Sequence, residues 1–341
     1  MSVSATSHLP HGTPDPDHIR DRLPFLIRRN LTLRAARAFL EARGCMEVET
    51  PCAVPAPGEE VHLLPFQTER EAPDGQRHTL FLHTSPEFAM KRIVAATGLP
   101  VFQFARVWRN GEASATHAPE FTMLEWYQPG MPLSDLMDET EALLRAVLPP
   151  TVQRNACTLD LSLPFERLSM EDAFRRHAGV DLLPTQGNAQ ALAQAAGCAL
   201  RDGENWEDLF FRLLLDRIEP AIGQTRPTFL THWPASQAAL ARKDPANAQV
   251  ALRFELYAAG MELANAFEEL TDPVEQRQRF THDRAERQHL YPTRATWPMD
   301  EKLLHALPHM PPCSGIALGF DRLVMLASGA RNIQDILWIQ D

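Results

Sequence analysis

The sequence predicts an α+β fold in which a mostly antiparallel sheet is flanked by helices. Residues 101–108 alternate between two sets of side chains, which is the period of a strand with one buried face. Residues 250–269 contain two strand-like runs joined by Ala259-Gly260, and this pattern predicts an antiparallel hairpin. Segments with helical periodicity lie between the strands, so we expect helices to cover the sheet.

The helices are predicted from apolar residues that recur every three or four positions. The first runs from Pro24 to Arg43, where the proline suits a first turn and Gly44 suits the C-terminal cap. One of its stripes is apolar and is available to pack on the core or on a second subunit: Ile27, Leu31, Ala35 and Phe39. The later helices are predicted at 134–148, from Ser169 onward, at 206–218, from Pro273 onward and at 321–328.

Length and composition favour one large domain. The chain has 341 residues, 44% of them hydrophobic, so we expect a single core over residues 21–341. Residues 1–20 are rich in Pro, His, Ser and Asp and lack the apolar segment of a signal peptide, which predicts a flexible tail. No stretch approaches the roughly 18 apolar residues of a membrane-spanning helix. The five cysteines show no metal-ligand spacing, which favours reduced thiols and a cytoplasmic location.

The charge of the chain bears on its partners. Its 44 acidic residues outnumber its 33 basic ones, and the net charge is -11. Proteins that bind nucleic acid gain most of their affinity from contacts of Lys and Arg with phosphates. We therefore expect no stable binding to RNA, and an acidic surface better suits a basic protein partner.

Two arginines stand at the ends of predicted rigid elements. Arg109 follows the strand at 101–108, and Arg322 opens the helix at 321–328 after the glycine-bearing segment 315–319. A guanidinium group holds phosphate oxygens through two parallel hydrogen bonds and keeps its charge at any physiological pH. Both arginines are therefore candidate catalytic residues that bind and neutralise a triphosphate.

The segments around these arginines resemble the signature motifs of class II aminoacyl-tRNA synthetases. Residues 106–127 are similar to motif 2 and residues 315–322 to motif 3, while Glu49-Thr50-Pro51 resembles motif 1, the dimer-forming element. Within this class, residues 119–125 and 262–270 are similar to lysyl-tRNA synthetases. The resemblance covers about residues 23–338, and it implies the fold of the class II catalytic domain.

The resemblance implies that the chain binds ATP and Mg²⁺. It assigns Arg109 to the α-phosphate and the substrate carboxylate, Arg322 to the γ-phosphate, and Phe121 to stacking on adenine. Glu255 and Glu262 match the acids that bind Mg²⁺, an ion that prefers oxygen ligands. The residues implied to bind ATP are Arg109, Asn110, Gly111, Glu112, Ala118, Phe121, Glu262, Leu263, Gly319 and Arg322.

The implied amino-acid pocket selects a substrate that carries an ammonium group. Strand alternation puts Asn265, Phe267 and Glu269 on one face, and a carboxylate at the end of an apolar slot is costly unless it meets a cation. We expect Glu269 to pair with the substrate ammonium, with Tyr127 adding a hydroxyl group. The residues implied to contact the amino acid are Ser85, Pro86, Glu87, Glu125, Tyr127, Asn265, Phe267, Glu269 and Ala317.

Three positions depart from the family pattern. Gly111 stands where motif 2 usually has glutamate, and the carboxylate follows at Glu112. Ala118 stands where many relatives carry asparagine, and Ala317 stands where lysyl-tRNA synthetases have glycine, so an added methyl group reshapes the amino-acid pocket. We interpret His117 as a hydrogen-bonding residue of the loop, because adenylation requires no protein base.

Together the motifs most resemble the elongation factor P–(R)-β-lysine ligases, which are paralogues of lysyl-tRNA synthetase. Only about forty residues precede motif 1, too few for the OB-fold that reads the anticodon in those synthetases. The resemblance implies a homodimer that activates (R)-β-lysine or lysine with ATP and transfers it to a lysine of elongation factor P, without stable tRNA binding. The alternatives are a minimal lysyl-tRNA synthetase, an amino-acid–ammonia ligase and a non-catalytic regulatory paralogue.

Overall fold

A computed structural model describes residues 16–339, with side chains from residue 19 onward. The predicted tail covers residues 1–20. Its first 15 residues lie outside the described part of the chain, and residues 16–20 belong to the first helix, α1 (Pro16–Glu41). This helix starts earlier than predicted and contains Pro24 in its interior. Its N-terminal part is held by Arg22, whose guanidinium donates to the carbonyl oxygens of Gln334 and Leu337.

The remaining helices confirm those predicted from periodicity and add three more. Ser169 caps one of the predicted helices, because its Oγ accepts a hydrogen bond from the backbone N–H of Asp172. The predicted helix at 206–218 ends in a π-helical turn over Leu214–Ile218. The bounds are α2 (Glu87–Thr97), α3 (Leu133–Val147), α4 (Met170–Ala178), α5 (Ala189–Ala196), α6 (Trp206–Leu213), α7 (Pro273–Leu290), α8 (Glu301–Ala306) and α9 (Phe320–Ser328).

The strands form a large central sheet and two small ones. In chain order they are β1 (Met46–Glu47), β2 (Ala53–Val54), β3 (Gln67–Glu71), β4 (Arg77–Leu82), β5 (Val101–Trp108), β6 (Glu120–Pro129), β7 (Thr151–Arg154), β8 (Cys157–Asp160), β9 (Glu166–Ser169), β10 (Thr228–Pro234), β11 (Lys243–Asp244), β12 (Asn247–Ala258), β13 (Met261–Glu268) and β14 (Cys313–Gly319). The central order is β1-β5-β6-β14-β13-β12-β10-β9, with β11 paired to β12. Its parallel pairs, β1–β5 and β9–β10, lie at the edges, so the predicted antiparallel sheet is confirmed.

The main hydrophobic core lies on one face of this sheet. Alternate residues of the strands point into it, among them Leu124, Ala266 and Ile316, and they pack against α1, α3 and α9. Their neighbours in sequence must point to the opposite face, since side chains alternate along a strand. That opposite face carries the polar residues of β6, β12, β13 and β14, and there the candidate site is built.

The predicted apolar stripe of α1 divides between core and surface. Ala35 and Phe39 pack against the main core, whereas Ile27 and Leu31 are half-exposed. Within residues 16–339 no helix is both long enough and apolar enough to cross a membrane.

Candidate active site

Four adjacent strands bring distant parts of the sequence to one face of the sheet. The register pairs Glu125 of β6 with Ala317 of β14, Ala317 with Asn265 of β13, and Asn265 with Glu255 of β12. Directly paired residues on neighbouring strands project from the same face. These four residues therefore form a row across the middle of the sheet.

A cavity of about 480 Å³ lies on this face, a size typical of small-molecule sites. Most of the residues predicted to bind ATP or the amino acid line it: Ser85, Glu87, Arg109, Glu112, Ala118, Phe121, Tyr127, Glu262, Leu263, Asn265, Phe267, Glu269, Ala317, Gly319 and Arg322. Five predicted residues do not line it. Asn110 and Gly111 line a neighbouring cavity of about 270 Å³. Pro86 immediately precedes α2. Glu125 and Glu255 are buried behind the wall of the main cavity.

Arg109 offers a positive charge to an anion in this cavity. Its guanidinium carbon lies 5.2 Å from the centre of the Phe121 ring. Its Nε is buried, and among the described residues it has no hydrogen-bond acceptor. A buried donor without an acceptor costs free energy, so the arrangement fits an anionic ligand that accepts from Arg109.

The turn after Arg109 accounts for the departure at Gly111. Gly111 has a φ of +84°, in the left-handed region that favours glycine. The backbone N–H of Glu112 lies 3.5 Å from the carbonyl oxygen of Arg109, which closes a tight turn. Glu112, the residue after this turn, lines the cavity, so a carboxylate is present there although Gly111 occupies the motif 2 position.

Arg322 lines the same cavity and has three hydrogen-bond partners, of which the carbonyl oxygen of Thr116 accepts from its Nε at 3.4 Å. One Nη donates to the carbonyl oxygen of Glu262 at 2.7 Å, and the other lies 2.6 Å from Nε2 of His117. Burial, together with the charge of Arg322, lowers the pKa of His117, so its ring is neutral and Nε2 can accept from the guanidinium. Nδ1 then carries the proton and donates to Oγ of Ser114 at 2.8 Å. The loop hydrogen-bonding role expected for His117 agrees with this geometry.

Glu125 is buried behind two residues that line the cavity, Ser85 and Tyr127. Ser85 Oγ donates to one of its oxygens at 2.6 Å, and the Tyr127 hydroxyl donates to the other at 3.0 Å. Tyr127 thus points at Glu125, whereas we expected it beside the ammonium partner of Glu269. Burial, followed by the charge of Glu87, raises the pKa of Glu125 to about 8. A cation placed beside it would favour its ionised form.

Glu269 has a partner that sequence reasoning missed. The Nζ of Lys91 lies 2.6 Å from Oε2 of Glu269 and 2.5 Å from Oε1 of Glu87, and the lysine side chain is 1% exposed. Burial alone would lower the pKa of Lys91, but the charges of Glu269 and Glu87 outweigh it and raise that pKa. Glu87 and Lys91 are four residues apart, so a helix predicted at 87–97 would have placed them side by side and indicated this ion pair.

Gly315 makes room for the same carboxylate. A Cβ at this position would lie 2.3 Å from Oε1 of Glu269 and 2.4 Å from ring carbons of Tyr127. Such distances are far below van der Waals contact, and the aromatic ring cannot move aside in a packed site. Glycine at this position is therefore required by the close approach of Tyr127 and Glu269.

Glu255 is buried beside an arginine that the sequence analysis did not single out. Arg253 donates to one oxygen of Glu255 at 2.6 Å, and the Tyr257 hydroxyl donates to the other at 2.6 Å. Burial, followed by the charge of nearby Glu262, raises the pKa of Glu255. In the part of the chain that the structure describes, no three His, Cys, Asp or Glu residues are grouped to hold a metal ion.

An antiparallel sheet that carries motif 2 and motif 3 around one cavity defines the catalytic domain of class II synthetases. The sequence family described as tRNA synthetases class II (D, K and N) matches residues 21–339, so this chain belongs to that family. Within it, the chain is 43% identical to the elongation factor P–(R)-β-lysine ligases of Salmonella paratyphi B (strain ATCC BAA-1250 / SPB7) and Salmonella schwarzengrund (strain CVM19633). Each match spans 322 residues, which are 92% of this chain and 94% of the relative.

Proposed function

We propose that this chain is an ATP-dependent ligase that activates (R)-β-lysine, or less well lysine, and transfers it to a lysine of elongation factor P. The observation that carries the proposal is one cavity with arginines at one end and the carboxylates Glu87 and Glu269 at the other. Relatives that share 43% identity over 92% of the chain are named for this activity. An acidic pocket beside a phosphate-binding end suits a substrate that has ammonium groups and a carboxylate to be activated.

In the first step a carboxylate oxygen of the amino acid attacks the α-phosphorus of ATP, and pyrophosphate leaves. This displacement needs positioning and charge neutralisation but no protein nucleophile. Arg109 holds the α-phosphate and the attacking carboxylate, and Phe121, over which its guanidinium lies, stacks on adenine. Arg322 exchanges its contact with His117 for the γ-phosphate. Gly319 lines the cavity and permits close approach of the nucleotide.

In the second step the neutral ε-amine of the acceptor lysine attacks the carbonyl carbon of the adenylate. A C–N bond forms, the bond to the phosphate oxygen breaks, and AMP leaves while the amine loses a proton. The ammonium groups of the aminoacyl part stay beside Glu87 and Glu269 throughout, with Glu125 buried behind the wall of the cavity. These contacts keep the reacting carbonyl at a constant distance from Arg109, which is how binding of the side chain can accelerate the transfer.

A magnesium ion belongs to the proposal, and the residues present fit it. Glu262 lines the cavity with a side chain that is 43% exposed, and Glu255 faces it from the buried side. Each oxygen of Glu255 accepts one hydrogen bond and has a second lone pair left. When bound with ATP, Mg²⁺ would neutralise charge on the phosphates, and most of its remaining ligands would be phosphate oxygens and water.

The homodimer is also part of the proposal, and the surface of α1 supports it. Leu23, Ile27 and Leu31 recur every four residues on this helix and are 42%, 50% and 49% exposed. Met46, in the strand that follows, is also exposed. An apolar stripe of this kind is unfavourable in water and suits a two-fold interface. Light scattering at micromolar concentration should give a dimer, and the double variant Ile27→Glu/Leu31→Glu should give a monomer. A parent chain that scatters as a monomer would contradict the proposal.

We place the activity in the cytoplasm, without stable tRNA binding. All five cysteines are free thiols, as expected in a reducing compartment. The net charge of -11 disfavours association with a polyanion.

One experiment separates this function from its alternatives. The purified chain is incubated with ATP, Mg²⁺ and labelled (R)-β-lysine or lysine, together with either elongation factor P or tRNA, and Arg109→Ala serves as the inactive control. We expect label on elongation factor P and none on tRNA. Label on tRNA alone would identify a minimal lysyl-tRNA synthetase. Failure to form labelled adenylate with any acceptor would identify a non-catalytic paralogue.

A further inference from the structure

Lys91 is a buried ammonium group behind two carboxylates that line the cavity. It projects from α2, and its Nζ contacts Glu87 of the same helix and Glu269 at the end of β13. Glu125 and Tyr127 face the group from β6, and the Cys313 thiol faces it from β14. A buried charge is unfavourable unless it is compensated, so a lysine kept here needs an explanation.

The charges around this pocket can be counted. Glu87, Glu125 and Glu269 contribute three carboxylates, and Lys91 supplies one ammonium group. Glu60 also lines the cavity, where it lies near Glu87 but also near Arg109 and Arg287, and these two cations compensate its charge. With all groups ionised, the balance at that end is two negative charges. Lysine and β-lysine each carry two ammonium groups, and their carboxylate is the group that faces Arg109.

We propose that Lys91 is a specificity-determining positioning residue that sets the charge of the pocket to match an amino acid with two ammonium groups. The proposal rests on the proposed function, since it takes the pocket to bind a diamino acid. Lys91 holds Glu87 and Glu269 in place before the substrate arrives, and its charge opposes the burial that raises the pKa of Glu269. Without it three carboxylates would crowd one low-dielectric pocket, and one of them besides Glu125 would take up a proton that the substrate must displace.

The first test is the kinetics of Lys91→Met, which keeps much of the side-chain volume and removes the charge. Exchange of pyrophosphate into ATP is followed with lysine or (R)-β-lysine between pH 6 and 8. We expect kcat/KM for the diamino acid to fall at least about tenfold at pH 7, mainly through KM, since the loss is of a charge-assisted contact. The KM for ATP should stay within about twofold, because Arg109 and Arg322 are unchanged.

The pH dependence of kcat/KM distinguishes a role of Lys91 in setting the charge of the pocket from a role in packing alone. In the parent chain burial raises the pKa of Glu125 to about 8, and it also raises the pKa of Glu269 against the opposing charge of Lys91. Lys91→Met removes that opposing charge, so the pKa of both carboxyl groups should rise further, and the increase of kcat/KM with pH should shift to higher pH than in the parent. A loss of the same size at every pH would overturn the proposal. So would an increase in kcat/KM, which would mean that Lys91 competes with the substrate.

The matched control is Arg92→Met, which removes one positive charge from the exposed side of the same helix. It should keep the parental pH profile. An inactive parent chain would contradict the proposed function, whereas an active parent with an unchanged Lys91→Met variant would contradict only the role of Lys91.

The second test is thermal stability, which requires no activity. Lys91→Met should melt below the parent, and increasingly so as the pH rises from 6 to 8, since its uncompensated carboxylates then lose protons. The double variant Lys91→Met/Glu269→Gln removes one anion with the cation and restores the balance of two negative charges. It should recover most of the lost melting temperature. A double variant as unstable as the single one would show that Lys91 is needed only for packing, even if neither variant folds well enough for kinetics.

Discussion

Arg29 of α1 pairs with Asp321, the residue that precedes Arg322, and both side chains are buried. The second oxygen of Asp321 accepts the backbone N–H of Thr122 in β6, and Arg29 donates to the Thr122 hydroxyl at 3.0 Å. The network therefore connects the helix before motif 1, the strand of motif 2 and the helix of motif 3. It also holds the start of α9, from which Arg322 reaches the cavity.

Removing one member of this network should destabilise the fold. Arg29→Met leaves Asp321 buried without its cation, and breaking a buried pair in this way costs about 3–5 kcal/mol. The free energy of unfolding from urea denaturation should fall by about that amount. Arg34→Met, at an exposed position of the same helix, should change it by less than about 0.5 kcal/mol. Equal losses in the two variants would show that the pair adds nothing specific.

Arg109 should be essential for adenylation. In Arg109→Ala the negative charge that builds up at the α-phosphate loses its closest donor, and loss of such a donor lowers kcat by about 100- to 1,000-fold. Exchange of pyrophosphate into ATP with a saturating diamino acid measures this loss. Arg106→Ala, at an exposed position of the strand before it, is the control and should retain activity. Parental exchange by Arg109→Ala would remove Arg109 from the mechanism.

Glu269→Gln should weaken use of the amino acid without affecting ATP. The substitution keeps the shape of the side chain but removes the charge that pairs with an ammonium group. A hydrogen bond to a charged group contributes about 1.5–3 kcal/mol, so kcat/KM for lysine or β-lysine should fall about ten- to a hundredfold. The KM for ATP is the internal control. An unchanged kcat/KM for the amino acid is the result expected of a carboxylate that only neutralises Lys91.

Glu125 should produce the pH dependence of substrate use. Its pKa is raised by burial to about 8, so at neutral pH the free enzyme holds a proton that binding of a diammonium substrate must displace. Below this pKa, kcat/KM for the diamino acid should rise by up to about tenfold per pH unit. Glu125→Gln should flatten the profile between pH 6 and 8, and a profile that is already flat in the parent would exclude this role.

The raised pKa of Glu125 also makes the free energy of unfolding decrease as the pH rises. The folded state holds the Glu125 proton up to about pH 8, whereas the unfolded state releases it near pH 4.5, the ordinary pKa of a glutamate side chain. The contribution of Glu125 to stability is therefore complete at low pH and is lost as the pH rises through this window. In Glu125→Gln the free energy of unfolding should fall less between pH 5 and 8 than it does in the parent, as urea denaturation at each pH would show.

The spacing of apolar residues along the sequence was sufficient to predict many of the helices and strands. Strand β5, the hairpin of β12 and β13, and helices α3, α4 and α9 were each predicted from the period of their apolar residues, because one face of each element packs on the core. The start of α1 was misjudged at Pro24, since a proline normally ends or begins a helix. Here the preceding turns are retained by tertiary contacts such as those of Arg22 with Gln334 and Leu337.

The sequence by itself determined which chemical groups are available: two arginines at the ends of rigid elements, and carboxylates at alternate positions of strands. Only the tertiary structure decided which of them meet. The partner of Glu269 is Lys91, 178 positions away in the numbering and on a different element, and the partner of Glu255 is Arg253 on its own strand. Alternation along one strand specifies the face of a side chain, but the register between strands and the packing of α2 on the sheet specify its neighbours. Those neighbours set the charge that each buried carboxylate carries, because a low-dielectric interior makes ionisation depend on the nearest countercharge.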